Sequence, residues 1–174
     1  ALVDSNTTTI SENNSTKYLP YEDSDLGFTM NYPSEWTIDK DNTEHYTVIG
    51  FDLPEKDTSV DVRIIPKGDY KSIKEYGDKN FKESDDQTLL GYYRNSSTLL
   101  SGKPALRAIY LTTSNPGLIG GIFGSQPSTY KAMMVATMVP EKNSIYAIAY
   151  FANSNDFRED LPEVESMINS FKIN

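Results

Sequence analysis

Apolar and polar residues alternate along much of this chain with a period of two, the mark of strands that bury one face. Phe28, Met30 and Tyr32 alternate with Thr29 and Asn31, predicting a strand over residues 27–32. Pro33 forbids its continuation as a central strand, and Trp36, the only tryptophan, follows as a large apolar plug. Residues 46–53 carry Ile49, Phe51 and Leu53 on one face, and residues 59–65 carry Val60, Val62 and Ile64. Pro54 and Pro66 close these two strands. Further strands are predicted over residues 88–93, 96–100, 104–113, 130–139 and 144–152. Residues 140–143 make a short hairpin-type turn between the last two. In residues 130–139 both alternating sets are largely apolar, so that strand should lie at the centre of a sheet covered on both faces, and 144–152 reads the same way.

Two segments follow the helical period instead. Ser72-Ile-Lys-Glu75 is a capping-box pattern, followed by Ile73, Tyr76 and Phe81 on one stripe, although Gly77 weakens it. Near the end, Phe157, Leu161, Val164, Ile168 and Phe171 form one helical face. Pro162 suits only a first turn, so the regular helix should start near Leu161, with a separate turn over residues 156–160. Residues 1–20 differ from the rest: a run rich in Ser, Thr and Asn buries too little apolar area to offset its ordering entropy. The organisation expected is a flexible polar linker over 1–20 and a single domain over 21–174. Two helices must cover a sheet whose central strands are apolar on both faces. The consistent solution is an α+β fold, an α-β-α sandwich with a central antiparallel sheet flanked by helices.

Three of these features coincide in order: Gly27-Phe-Thr-Met-Asn-Tyr-Pro33 with Trp36, the long apolar strand pair over 130–152, and the ending Met167-Ile-Asn-Ser-Phe171. Together they resemble the PsbP-like superfamily, across essentially all of residues 21–174. That superfamily includes the extrinsic oxygen-evolving subunit of photosystem II, a Ran-binding nuclear import factor, and small exported prokaryotic proteins and lipoproteins. The resemblance implies the sandwich above and a non-catalytic accessory or binding role, usually outside the cytoplasm. It carries over no functional residue. The plant subunit's basic N-terminus has no counterpart, since residues 1–20 hold the single base Lys17, and no nuclear localisation run occurs. The exported prokaryotic branch is what remains.

Composition narrows the partners. The net charge is −9, with 16 basic against 25 acidic residues, which argues against nucleic acid and against docking on anionic lipid. There are no cysteines, so disulfides, thiolate metal sites and thiol nucleophiles are excluded. The chain starts at Ala-Leu-Val-Asp-Ser without Met, so a mature or trimmed form is expected, with a preceding segment as the place for a membrane tether. Asn6, Asn13, Asn14 and Asn95 each begin an N-x-S/T sequon.

Chemistry is sparse. His45, the only histidine, falls in a polar segment over 39–45 where no cleft is implied. The acidic pairs Asp23/Asp25, Asp39/Asp41, Asp85/Asp86 and Glu159/Asp160 do not suggest two carboxylates held across a cleft. The best candidate metal ligands are Asp39, Asp41 and Glu44 for calcium, but they fail the EF-hand pattern. The glycines of 117–124 lack both nucleotide-binding patterns. No cofactor is implied. The best contact candidate is the connection over 115–129, which is long beside a typical median of about 4–6 residues and holds Leu118, Ile119, Ile122 and Phe123 among glycines. Two arrangements fit it: burial against the body, or exposure as a partner contact. The function expected is an extracytoplasmic, non-catalytic domain docking on a protein complex of the membrane or envelope. The alternative is a carrier of a small hydrophobic ligand between sheet and helix.

Overall fold

The computed structural model describes residues 15–81, 94–112 and 130–174. Among them the elements run β1 (Tyr18–Asp23), β2 (Phe28–Pro33), β3 (Thr37–Asn42), β4 (Thr47–Leu53), β5 (Thr58–Pro66), α1 (Ile73–Asn80), β6 (Arg94–Leu100), β7 (Lys103–Thr112), β8 (Tyr130–Val139), β9 (Ser144–Asn153), α2 (Phe157–Ser170) and β10 (Lys172–Ile173). Two antiparallel meanders, β3-β4-β5 and β6-β7-β8-β9, join through β5 and β9. The result is a seven-stranded sheet in the order β3-β4-β5-β9-β8-β7-β6. Strands β1-β2-β10 make a second, three-stranded antiparallel sheet. This is the α+β architecture that the alternation predicts, with β8 and β9 at the centre and buried on both faces.

Each face of the large sheet has its own core. The inner face presents Val60, Val62, Met133, Val135, Ile148 and Tyr150, packed against β2 and α2. The outer face presents Leu106, Ala108, Met134, Ala136, Ala147 and Ala149, packed against α1. The inner layer is therefore a small sheet plus one helix, where the sequence leads to helices alone. Phe28 and Met30 of β2 are fully buried there, and Trp36 closes the end of the same core.

Helix α1 starts as its sequence predicts. The Glu75 amide donates to Ser72 Oγ at 3.0 Å, and Glu75 Oε2 accepts from the Lys71 amide at 2.8 Å. The reciprocal bond of the box thus falls one residue earlier than usual. Gly77, which weakens the helix locally, lets it approach the sheet: a Cβ there would lie 2.5 Å from Leu106 Cδ2.

Three expectations need correction, and one further strand has no forerunner in the sequence pattern. Tyr18, Leu19 and Pro20 belong to β1, paired with Pro33, Tyr32 and Asn31, so ordered pairing begins inside the stretch assigned to the linker. The polar segment after Trp36 is strand β3, because β4 offers it a backbone ladder that needs no apolar side chains. The two residues of β10 form a strand because α2 delivers them beside β2. Finally, α2 runs unbroken through Pro162 from Phe157. Proline removes a single helical bond near the start, and that first turn is fixed from outside. The Tyr150 ring stacks on Phe157 at 4.6 Å, and its hydroxyl donates to the Phe157 carbonyl at 2.8 Å. Asp160, on the same turn, accepts from Lys56 Nζ at 3.0 Å and Thr58 Oγ1 at 2.9 Å. The predicted strand over 88–93 and the connection over 115–129 lie outside the described residues.

Candidate functional site

The outer face changes character along the sheet. Under α1 it is built of alanines and larger apolar residues. Across β3, β4 and β5 the same face carries Asp39 and Asp41, then Gly50 and Asp52, then Asp61 and Arg63. The register fixes this grouping: Asp39 is opposite Gly50, Gly50 opposite Asp61, and Asp61 opposite Ala149. These side chains line an open groove of about 410 Å³ that reaches Phe151 at one wall and Lys56 at one end.

Gly50 forms the floor of the groove. A Cβ placed on it would lie 3.7 Å from Asp61 Oδ1, 3.9 Å from Asp52 Oδ2 and 3.7 Å from the Asp39 carbonyl oxygen. The missing side chain thus leaves a space bordered by two carboxylate oxygens and one carbonyl oxygen. Arg63 is the counter-charge: its Nη2 donates to Asp61 Oδ2 at 3.2 Å, and its guanidinium lies 5.4 Å from the rings of both Tyr46 and Phe151. That clamp of two aromatic rings fixes the arginine in place.

Two cations, Arg63 and Lys56, line the groove against five aspartates, and Lys56 is itself bound to Asp160. Burial pushes the Asp61 carboxyl above its ordinary range, and Arg63 opposes the shift only in part. Partial burial and then repulsion from Asp61 and Asp39 push Asp52 up as well. By contrast, the buried carboxylates elsewhere are satisfied. Burial raises Asp23, but the Leu26 amide and Lys40 outweigh it and hold the carboxyl below its ordinary range. A second groove, of about 580 Å³, lies beside the start of α2 and is lined by Glu35, Glu55, Glu159, Glu163, Lys17 and Trp36. Lys56 stands between the two grooves, and its hydrogen bond to Asp160 holds its ammonium above the ordinary range.

The structure brings together part of what the sequence singles out. Asp39 and Asp41 share one face of β3 and line the first groove, whereas Glu44 and His45 are exposed on the turn to β4. Among the described residues no group of three or more His, Cys, Asp or Glu side chains is arranged to hold a metal ion. Leu118, Ile119, Ile122 and Phe123 lie outside the described residues, as do the sequons at Asn6, Asn13 and Asn14. Asn95 falls within β6. Asp52, Asp61, Arg63 and Tyr46 are groove residues that sequence reasoning passed over. For Asp61 and Arg63 the signal lies in the alternation of β5, where they are the polar set on the face opposite Val60, Val62 and Ile64. No helix among the described residues is long and apolar enough to cross a membrane.

Solved structures that share this fold include the following three. Cyanobacterial PsbP (CyanoP) from Synechocystis superposes with a TM-score of 0.63 at 14% identity, covering 97% of this chain and 99% of its own. LpqN, involved in cell envelope biogenesis of Mycobacterium tuberculosis, gives 0.56 at 13% identity, covering 92% of each chain. The Ran-binding protein Mog1p of Saccharomyces cerevisiae gives 0.56 at 11% identity, covering 91% of this chain and 96% of its own. No curated protein sequence matches the chain. The sequence profile of the PsbP family matches residues 16–106, more than half of the length. The chain belongs to the PsbP family.

Proposed function

We propose that this protein is a non-catalytic binding domain that works outside the cytoplasm and docks on a protein complex of the membrane or envelope. One observation carries this reading: among the described residues, part of one sheet face is left open as a groove with an excess of carboxylates, beside a packed core. Excess charge on an open, preformed surface suits recognition of a partner. The folds it shares include one described as a Ran-binding protein and one involved in cell envelope biogenesis, which supports a binding role without naming a partner here. The acidic surface favours a protein partner over nucleic acid. A carrier of an oily ligand fits less well. Ile148, Tyr150 and Met167 fill the space between the large sheet and α2, and both grooves are lined by carboxylates.

The apolar residues Leu118, Ile119, Ile122 and Phe123 are the second contact we assign to this role. Deleting residues 118–123 should abolish recovery of the partner from a membrane extract of the protein's own organism while leaving the melting temperature nearly unchanged. Undiminished recovery would remove the loop from the contact surface. Failure of the intact chain to recover any partner would remove the binding reading itself.

A further inference from the structure

Strand β3 is an edge of the large sheet, and among the described residues nothing pairs with its outer side. All six of its residues are exposed. The direction of its free backbone groups follows from the hairpin. The Thr43 amide donates to the Tyr46 carbonyl at 2.9 Å, which makes that pair hydrogen-bonded. Counting back along the register, Asp41, Asp39 and Thr37 bond to β4, while Ile38, Lys40 and Asn42 aim their amides and carbonyls outward. The Asn42 amide is already taken by Asp41 Oδ1 at 2.8 Å. Ile38 and Lys40 therefore offer four backbone groups, two donors and two acceptors, to an incoming strand. Protected sheet edges are blunted or covered, because such a row is a template for pairing. This one lies next to the acidic groove.

We propose, resting on the binding-domain reading above, that β3 receives an extended segment of a basic protein partner as an added strand, whose Lys or Arg side chains lie over Asp39, Asp41 and the Asp52–Asp61 pair. Strand addition supplies affinity through main-chain bonds and specificity through alternate side chains. The register suits that division. Asp39 lies between the outward-facing Ile38 and Lys40, so it would stand in a non-hydrogen-bonded pair, where side chains of neighbouring strands come closest.

The charge pattern selects this occupant over the others. A second copy would pair β3 either with itself or with another edge, and β6, the other edge of the large sheet, gives a head-to-tail contact that propagates instead of closing. Residues opposite each other share a face, so antiparallel self-pairing centred on Asp39 sets it against itself, and centring on Lys40 sets Lys40 against Lys40 and Asp39 against Asp41, whereas centring on Ile38 overlaps only residues 37–39 of each strand. Like charges directly opposite destabilise a sheet. The chain's own undescribed segments do not fit either. Residues 1–14 carry Asp4 and Glu12 and no base, residues 113–129 carry no charge, and residues 82–93 hold Lys82 against Glu83, Asp85 and Asp86. A basic segment from elsewhere meets both the open ladder and the unbalanced carboxylates.

The test uses the full chain with fluorescein-labelled synthetic peptides of about eight residues, a length typical of strands. One alternates Lys and Thr, one alternates Glu and Thr, and one is the Lys–Thr peptide N-methylated at alternate residues. The Lys–Thr peptide should bind, the Glu–Thr peptide should not, and either N-methylation or the double variant Asp39→Asn/Asp52→Asn should weaken binding about tenfold or more. Hydrogen exchange at the Ile38 and Lys40 amides should slow on binding. The variant's melting temperature, unchanged or higher, shows that it is folded. Absence of Lys–Thr binding at millimolar peptide overturns the proposal. So does binding that ignores N-methylation and leaves Ile38 and Lys40 unprotected, which would be charge attraction alone. Sedimentation showing a dimer sealed through β3 also overturns it. Partner capture separates this proposal from the broader one. Equal recovery by the intact chain and the double variant ends the strand proposal and leaves the binding role standing.

Discussion

The two halves of the outer sheet face are built from the same ladder and alternate in the same register, yet one is closed and the other open. Where β7, β8 and β9 meet α1, the face is Ala108, Ala132, Ala136, Ala147 and Ala149 with Leu106 and Met134. Small residues let the helix axis come close, and Gly77 on the helix side completes the fit against Leu106. Where β3, β4 and β5 continue that face, carboxylates replace alanines, and the surface becomes a groove instead of a core. The inner face shows no such break: Ile49, Phe51, Val60 and Val62 are all fully buried on these same strands. Among the described residues, β4 and β5 are thus covered by a core on one side alone, which leaves their other side to charge.

The comparison breaks hardest if the closed half is given the chemistry of the open half. Ala149→Asp places a carboxylate on a fully buried position opposite Asp61, with no cation assigned to it. A loss of about 3 kcal/mol or more is expected, enough to unfold a marginal domain. Urea denaturation followed by circular dichroism measures it, and a loss under about 1 kcal/mol would mean that this part of the face is wetter than its burial indicates. Gly77→Val attacks the same half from the helix side. Its branched side chain meets Leu106 and pushes α1 off the sheet. The expected cost is about 2 kcal/mol, from overpacking partly offset by the better helix propensity of a residue other than glycine. The corresponding readout is the melting temperature, and a stabilised variant would show that α1 does not depend on close approach.

The smallest effect sharpens the contrast from the open side. In the folded state Asp52 is raised above its ordinary value of 3.8. Between those two values the folded protein binds more protons than the unfolded chain, so stability falls as pH rises through that window. Ionised Asp52, facing Asp39 and Asp41 on β3, Asp61 and Arg63 on β5, and Asp57 and Lys56 on the following turn, therefore costs stability at neutral pH. Asp52→Asn should stabilise the protein at pH 7 by about 0.5 kcal/mol or less once solvent screening is counted, and by nothing near pH 3. Paired melting curves at the two pH values test this. Equal effects at both would assign the gain to packing instead of charge. A carboxylate that weakens the fold yet, on the strand-addition proposal, strengthens peptide binding is what a recognition surface requires.

Much of the body was readable from the residues. The alternation of β8 and β9 announces two buried faces, the Ser72 cap places α1, and Phe28 through Trp36 marks where the inner core starts. Part of the candidate site was readable too: Asp39 and Asp41 stand out as an acidic pair. Their partners Asp52, Asp61 and Arg63 do not, because each is one polar residue in a strand already explained by its apolar set, and the groove exists because three strands lie side by side.

By itself the sequence determined the elements that carry their own pattern, since a strand buried on both faces or a helix with an apolar stripe needs no partner to be recognised. The tertiary structure decided everything that depends on a neighbour. Strand β3 has no apolar face and forms because β4 satisfies its backbone. Helix α2 passes Pro162 because Tyr150, Lys56 and Thr58 hold its first turn. The two residues of β10 become a strand because α2 sets them beside β2. Backbone hydrogen bonds are indifferent to side-chain identity, so a strand made by them alone leaves no period to read. In this protein such a strand is the edge that lies beside the unbalanced charge.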